Sequence, residues 1–520
     1  MLFLHDRAPL RGKKILLVQP GIDSGSDPFW DFGASNAFVD AAATHTPHAL
    51  ATLAALLPND WETKIVDMNV ECLREHDIRR ADVVFVTGMI IHRGSIAKVI
   101  ERAARLGKPV VVGGPFASVT SVAKELGAAS AVYVGEAEGQ RAFADMIDDI
   151  RAGRELKRVY RASGFSAMTD CLRPRYDLIK MKKYVAAAVQ ASRGCLQHCD
   201  FCVIHRLYGT IRYKTPQQIV DELEALYRLG HRRNVFLLDD DFCGRHREAE
   251  AIVDAIIVWQ KKRGYPFLLY TQSDIGLGVG RGLILAKKMF EAGFYAVFLG
   301  LESPSKKAMR DFRKIMNVNN DAVKVCSNLR KIGLLAHCGA IVGFPSDGLD
   351  CFDAMEAFVK NCRVPVAMVG MLTALPGTAF YERMEKEGRL INDATGDASV
   401  FTNIKPQGMT EQELLDGYRS LMARLYSPED YFQRATDALD ELGAVHNRKP
   451  VASEYLAALR SMVKQGIMSN YRRPYWRFIR RYLFTKKIGL AFMLAILFVH
   501  LNQYARDYAA GSADHRPSEK

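Results

Sequence analysis

Ser192-Arg193-Gly194-Cys195-Leu196-Gln197-His198-Cys199-Asp200-Phe201-Cys202 sets three thiols in a C-x3-C-x2-C spacing on one short loop. The surroundings of this loop decide the fold. Residues 184–190 (Tyr-Val-Ala-Ala-Ala-Val-Gln) read as a buried strand leading into it. Behind it, helical periodicity over 215–229, 248–262, 283–292, 323–332 and 351–361 alternates with strand-like runs at 234–238, 266–271, 296–301, 335–342 and 366–372. Six strand-helix units in succession predict a (β/α)6 partial barrel over residues 186–395, with the thiols at the end of its first strand. The start of the 215–229 helix is locally marked: Thr215 can cap, Pro216 suits the first helical position and Gln218 completes a capping box.

Three thiolates on one compact loop can hold three irons of a [4Fe-4S] cluster and leave the fourth iron open for a substrate. A structural zinc would want a fourth ligand, for which His198 or His205 are candidates. An ordinary electron-carrying cluster would want a fourth cysteine, and Cys243 is the near one. The position of the loop after the first strand of a βα array favours the open cluster. Ten cysteines in 520 residues are too dilute for a disulfide scaffold, which points to a reducing compartment.

Upstream, residues 14–19 form a short apolar strand ending at Pro20-Gly21, followed by a helix over about 47–57. Strands at 62–67, 82–87, 109–112 and 131–134 follow, with a helix near 95–106 and with Gly113-Gly114-Pro115 and Gly135-Glu136 closing the last two strands. Strands this apolar, separated by helices, predict a doubly wound, Rossmann-like parallel sheet over residues 1–150. Ligands of such sheets sit at the carboxyl ends of the strands, where Gly88, Gly113, Gly114 and Gly135 would let a cofactor approach the backbone. The same glycines could serve only as tight turns. Residues 151–185 are basic and irregular and read as a linker.

Beyond 396 the pattern becomes helical, clearest at 410–425 and 428–442, giving a helical C-terminal region over 396–470. Residues 471–487 then carry seven Arg or Lys and no acid, interleaved with Tyr471, Tyr475, Trp476, Phe478, Tyr482 and Phe484. Twelve apolar residues follow at 488–499, so 471–520 reads as a basic, aromatic and apolar tail whose last ten residues are expected to be disordered. The tail fits an interfacial helix that meets anionic headgroups and inserts shallowly; the alternative is a helix buried on the barrel or in a dimer. Basic residues with aromatics can also bind nucleic acid, but such a tail gains nothing from the apolar run, and no nucleic acid is expected. The run is shorter than the roughly 18 residues of a spanning helix. The net charge, 71 − 58 = +13, invites an acidic partner, and 49% apolar with 25% charged residues is an ordinary globular balance. The apolar start, residues 1–4, is too short for a signal peptide, and the expectation is a cytoplasmic protein, peripheral on the inner membrane.

The C-x3-C-x2-C loop, with an aromatic residue before its last cysteine and at the top of a six-unit barrel, resembles the radical S-adenosylmethionine (SAM) superfamily. That resemblance implies a partial TIM barrel in which Cys195, Cys199 and Cys202 bind a [4Fe-4S] cluster whose fourth iron chelates SAM. One-electron reduction, from a donor of flavodoxin or ferredoxin type, then cleaves SAM to a 5′-deoxyadenosyl radical. Phe201 is implied to pack near the adenine, and Glu302, in Phe298-Leu299-Gly300-Leu301-Glu302-Ser303, to contact SAM or its ribose; a solvated strand-end carboxylate is the plainer alternative. Asp239, Asp240 and Asp241, in Phe236-Leu237-Leu238-Asp239-Asp240-Asp241-Phe242, are candidates for binding SAM or substrate, or equally an acidic helix-capping turn.

An N-terminal sheet domain ahead of this barrel is similar to the cobalamin-binding class. The tract from Ala367 to Thr378 (AMVGMLTALPGT), with Leu425-Tyr426-Ser427-Pro428-Glu429 behind it, resembles the branch containing hopanoid C-2 methylases. By that resemblance Gly88, Met89, Gly113, Gly114, Pro115, Gly135 and Glu136 lie where cobalamin is contacted. The chain has no D-x-H-x-x-G sequence, which implies a base-off cobalamin without a histidine ligand; His92 is a weaker candidate for the surroundings of the cobalt. The implied activity is methylation of an unactivated carbon of a lipid-like, hopanoid or terpenoid substrate, with no catalytic residue beyond the cofactors. Ring or carbon-carbon bond formation without methyl transfer, on a lipid or tetrapyrrole, is the second reading. A non-catalytic cobalamin or iron-sulfur sensor is the third.

Overall fold

Runs of Val, Ile, Leu and Ala that are apolar at every position must be covered on both faces, and the computed structural model buries them in two all-parallel sheets. It describes residues 12–22, 32–119, 128–394, 396, 402–446, 448 and 450–509. The apolar start at 1–4 and the tail end at 511–520 lie outside the described residues. Internal contacts divide the chain into Met1–Asp23 with Pro47–Ile179, and Ser24–Thr46 with Lys180–Lys520. Residues 24–46, expected within the first domain, therefore group with the second unit.

The strands of the N-terminal part are β1 (Lys14–Gln19), β2 (Ala43–His45), β3 (Glu62–Asp67), β4 (Val83–Thr87), β5 (Val110–Gly113), β6 (Ala131–Val134) and β7 (Val159–Arg161). All but β2 form one sheet of order β3-β1-β4-β5-β6-β7. Helices α1 (His48–Leu56), α2 (Arg93–Arg105) and α3 (Arg141–Ala152) belong to this unit. Its core joins Leu16, Val18, Val84, Val86, Val112 and Val132 of the strands to Ile96, Val99 and Ile100 of α2. The order reverses at β1, with β3 on one side and β4 on the other, so the topological switch point lies between the carboxyl ends of β1 and β4. β7 falls in the stretch read as an irregular linker. It is an edge strand with only Tyr160 of its three residues buried, which leaves almost no apolar signal.

The second unit contains β8 (Tyr184–Val189), β9 (Ser192–Arg193), β10 (Arg212–Tyr213), β11 (Asn234–Leu237), β12 (Leu268–Ser273), β13 (Phe294–Glu302), β14 (Leu335–Val342) and β15 (Ala367–Met371). Between the main strands run α4 (Pro216–Arg228), α5 (His246–Arg263), α6 (Gly282–Glu291), α7 (Ala322–Ile332) and α8 (Cys351–Cys362). The capping box forms: Gln218 N donates to Thr215 Oγ1 at 3.2 Å, and Thr215 N to Gln218 Oε1 at 2.8 Å. The six expected strands are present, and β2 adds a seventh beside β8, giving β15-β14-β13-β12-β11-β8-β2. His45 pairs with Ala186, and Ala188 N donates to Thr46 Oγ1 at 2.9 Å.

After β15 and a short helix at Ala379–Lys386, the C-terminal region contains α9 (Glu411–Leu425), α10 (Pro428–Glu441), α11 (Ala452–Lys464), α12 (Arg472–Tyr482) and α13 (Ile488–Ala509). The apolar run is only the first part of α13, a helix of 22 residues that is long and apolar enough to cross a membrane by length and composition. It is docked on protein instead. Ala491, Leu494, Ala495, Phe498, Leu501 and Ala505 form a buried stripe, and the Phe498 ring lies 4.9 Å from Tyr431 and 4.8 Å from Phe432. Tyr431 Oη donates to Leu494 O at 2.7 Å, and Asn502 Nδ2 to Tyr426 O at 2.8 Å. The residues expected to enter a lipid surface are thus largely spent on α9 and α10, the alternative left open for this segment.

Candidate active site

The cysteine loop is held at its entry by three consecutive carboxylates from the end of β11. Asp239 Oδ1 accepts from Ala191 N at 2.9 Å and also from Ser192 N. Asp240 Oδ2 accepts from Gly194 N at 3.2 Å, and Asp241 Oδ2 from the Cys195 thiol at 3.8 Å, while Asp241 Oδ1 accepts from Asp274 N at 3.1 Å. These aspartates were legible as a strand-end acidic group. The structure gives Asp239 and Asp240 a use distinct from a helix cap: they fix the backbone that aims the thiols. Burial pushes Asp239 up to about 7 and Asp240 up to about 6, and Asp241 is raised by burial and by its neighbour Asp274. Gly194 is required by the turn: its φ is +89°, and a Cβ there would stand 2.6 Å from Gly209 O.

Cys199 is buried, and Cys195 and Cys202 are half-buried. Burial pushes the Cys195 thiol up to about 12 and Cys199 up to about 11, and raises Cys202, while the Lys314 ammonium acts the other way on all three. Among the described residues no three His, Cys, Asp or Glu side chains converge as a single metal ion requires. A cluster asks less, since each thiolate meets a different iron. His198 and His205, the candidate zinc ligands, lie against each other with ring centroids 3.9 Å apart. Cys243, the candidate fourth thiol, is buried with its Sγ 3.7 Å from Met289 Sδ. Three thiols without a fourth protein ligand fit a cluster with one open iron.

Glu302 ends β13 in a left-handed conformation, φ 59°, that a non-glycine residue adopts only under constraint. The constraint is visible. The β13–β14 register shifts between Gly300 and Glu302, and Asn317 Nδ2 donates to Gly300 O at 2.9 Å and Leu301 O at 2.8 Å. Glu302 Oε1 accepts from Lys314 Nζ at 3.0 Å. Burial alone would lower Lys314, but Glu302 and the nearby thiols hold it above the usual lysine range. Lys314 was not singled out from the sequence, where nothing distinguishes it from a surface lysine. Phe201 sits with Phe312 at 6.0 Å and Phe344 at 6.4 Å. Past Glu302 a cavity of about 230 Å³ is bordered by Ser303, Ile341, Asp347 and Cys351.

Strand register defines the inner face of the barrel sheet. His45, Ala186, Asn234, Phe236, Tyr270, Gln272, Ala296, Phe298, His337, Gly339, Ile341 and Gly370 follow the pairing across it, and none is charged at neutral pH. Phe236 stacks on Tyr270 at 4.8 Å, and His45 Nε2 and Tyr270 Oη share a hydrogen bond at 2.7 Å. Burial lowers both His45 and His337 to about 4, so both are neutral.

In the first unit, Gly88 and Met89 lie at the carboxyl end of β4, at the switch point, with Met89 55% exposed. A Cβ on Gly113 would meet nothing nearer than 3.9 Å, so backbone there is open to approach; Gly114 (φ +85°) and Gly135 (φ +102°) are also turn-makers. Pro115 is the second residue of the short helix Gly114–Val119 that follows β5. Glu136 is turned inward, its Oε2 accepting from Ser166 N at 2.8 Å. His92 Nδ1 accepts from Met89 N at 3.1 Å, which occupies the histidine in its own turn.

Comparison with known proteins bears on each of the two units. Residues 37–146 match the B12 binding domain, 189–359 the radical SAM superfamily and 378–513 a domain of unknown function, DUF4070. An uncharacterized methyltransferase of Synechocystis sp. is 33% identical over 86% of this chain and 84% of its own. The chain belongs to the cobalamin-binding radical SAM methyltransferases. Another relative, the hopanoid C-2 methylase of Rhodopseudomonas palustris, is 28% identical over 91% of this chain and 90% of its own. In fold, the radical SAM methyltransferase resembles TsrM from Kitasatospora setae with cobalamin and [4Fe-4S] cluster bound, with TM-score 0.62, 14% identity, and 96% and 100% of the two chains covered. Its cofactors are a [4Fe-4S] cluster, SAM and cobalamin. The three-thiol loop and the glycine-rich ends of β4, β5 and β6 fit the first and the last.

Proposed function

We propose that this methyltransferase adds a methyl group to an unactivated carbon of an apolar, lipid-like molecule of hopanoid or terpenoid type. The observation that carries the reading is the inner face of the barrel sheet. It presents aromatic rings, alanines and glycines, with two neutral histidines, the amides Asn234 and Gln272 and no formal charge, which suits a bulky hydrocarbon and would leave a carboxylate or phosphate without a counter-charge. The likeness to a hopanoid C-2 methylase supports the same substrate class.

Bound in the site, the cluster and SAM supply a carbon radical and cobalamin supplies the methyl group. The chain's part is to position and enclose. In this reading Cys195, Cys199 and Cys202 hold the cluster, and the aspartates Asp239 and Asp240 aim their loop. Phe201 and Glu302 border SAM. Gly88, Met89, Gly113, Gly114, Pro115, Gly135 and Glu136 form the cobalamin edge of the N-terminal unit, which was expected over residues 1–150 and groups as 1–23 with 47–179. The apolar sheet face keeps water from the reacting carbon. The enzyme works in the cytoplasm against the inner membrane and takes electrons from a flavodoxin or ferredoxin type donor.

The test is anaerobic reconstitution with iron, sulfide and hydroxocobalamin, then incubation with methyl-labelled SAM and membrane lipid extract. Label in a nonpolar product whose mass has risen by one methylene is the expected outcome. Label confined to polar products overturns the substrate class, and a product lighter by hydrogens with no label overturns methyl transfer.

A further inference from the structure

With α13 docked on the protein, the apolar surface that remains uncovered lies elsewhere in the C-terminal helices. One side of α11 faces inward, where Ala457 and Ser461 are buried and Ser461 Oγ meets Tyr475 Oη at 3.1 Å. The other side carries Tyr455 (63% exposed), Leu459 (53%), Val463 (41%) and, just past the helix, Ile467 (66%) and Met468 (75%). The four-residue spacing from Tyr455 to Ile467, with Met468 beside its end, makes one continuous apolar stripe where a solvated helix presents polar residues.

The neighbouring α12 borders this stripe with cations. Trp476 Nε1 donates to Gly466 O at 2.8 Å, which seats α12 on the end of α11. Arg473 and Arg480, three and four residues from Trp476, share its side, and Arg477 is also exposed. Phe484, two residues past α12, is 97% exposed. Glu454 is the sole acid among described residues 450–487, and it already accepts from Val451 N at 2.9 Å.

We propose that the α11–α12 face is the surface by which the enzyme docks on an anionic lipid bilayer. The stripe and Phe484 enter the acyl boundary, and Arg473, Arg477 and Arg480 meet headgroup phosphates. Charge selects this occupant. A second copy seated on the same face through a two-fold axis would bring like-charged arginines together, and a nucleic acid would leave the stripe wet. The inference gives the lipid-like substrate reading an entry surface, and it can fail separately from that reading.

The experiment is co-sedimentation of the full-length holoenzyme with phosphatidylcholine vesicles and with vesicles of equal parts phosphatidylcholine and phosphatidylglycerol, with light scattering in parallel. The wild type is expected to pellet with the anionic vesicles only. Leu459→Glu with Ile467→Glu, and separately Phe484→Ser, should weaken that binding about tenfold or more with an unchanged melting profile. Arg473→Glu with Arg477→Glu should abolish it. Wild-type binding retained by all three variants overturns the proposal, as does equal binding to neutral vesicles. A dimer that the Leu459→Glu, Ile467→Glu variant splits, with no vesicle binding, overturns it in favour of a second copy. Intact vesicle binding without any methylated lipid would instead sink the substrate reading and leave the surface standing.

Discussion

Lys314 Nζ lies 3.0 Å from Glu302 Oε1, and each side chain is only 11% exposed. The pair bridges the end of β13 to the cysteine loop, because Lys314 also bears electrostatically on Cys199 and Cys202. Removing one partner leaves a buried charge without compensation. Lys314→Met should destabilise the apoprotein by about 3 to 5 kcal/mol, and adding Glu302→Gln should recover much of that. Anaerobic urea unfolding of the two variants measures it; equal stability of Lys314→Met and wild type would remove the pair from the account of the site.

Asp239 makes stability depend on pH in a fixed direction. Burial raises its folded value to about 7, above that of the unfolded chain, so the native state keeps a proton that the unfolded state releases. Its contribution is most favourable below the unfolded value near 4 and is lost as pH rises towards 7, on the order of a few kcal/mol. Asp239→Asn should flatten the fall in urea midpoint of the apoprotein between about pH 5 and pH 7. An unchanged slope would mean that Asp239 titrates as an ordinary carboxylate.

Cys199 is the most buried of the three loop thiols. Cys199→Ala is expected to abolish cluster incorporation, read as loss of the iron-sulfur absorbance and of 5′-deoxyadenosine formation. Retained SAM cleavage would sink the ligand assignment.

The barrel interior can be narrowed without touching the thiol loop. A Cβ on Gly339 would stand 3.3 Å from the Phe298 ring, so Gly339→Val crowds the inner face where the substrate is proposed to lie. Methylated product should fall about tenfold or more while 5′-deoxyadenosine is still formed. Parallel loss of both would place Gly339 in the SAM site instead.

Removing 488–509 is expected to harm folding rather than merely detach the enzyme from membranes. The helix covers Tyr418, Tyr431 and Phe432, and its loss strands the Tyr431 hydroxyl now bonded to Leu494 O. A truncated chain with an unaltered melting temperature would contradict this.

The two parallel sheets were legible because their strands are apolar on both faces and capped by identifiable turns. β2 and β7 were not, since three residues with at most one buried side chain have no period to detect. The thiol loop announced its chemistry through spacing. The partners of Asp239 and Asp240, by contrast, are backbone N–H groups some 46 to 48 residues away, and a main-chain donor leaves no mark in sequence. Lys314 is the same lesson for a side chain. In the tail, 488–499 shows that an apolar surface is needed but not whether protein or lipid meets it. The answer lay in Tyr418, Tyr431 and Phe432, 60 to 90 residues upstream.

β2 sets a timetable for synthesis. Ala43 pairs with Tyr184, so a strand made early has no partner until 141 more residues are added. At roughly 5 to 20 residues per second the nascent strand waits about 7 to 28 s on the ribosome. In that interval residues 47–179 can already wind around β1 into their own sheet, while residues 24–46, which interrupt that unit in sequence, wait for the other. A polypeptide begun after residue 46 would release β8 as an unguarded sheet edge, open to pairing with another chain. Expression of the barrel alone should therefore include residues 32–46, joined to it across the gap.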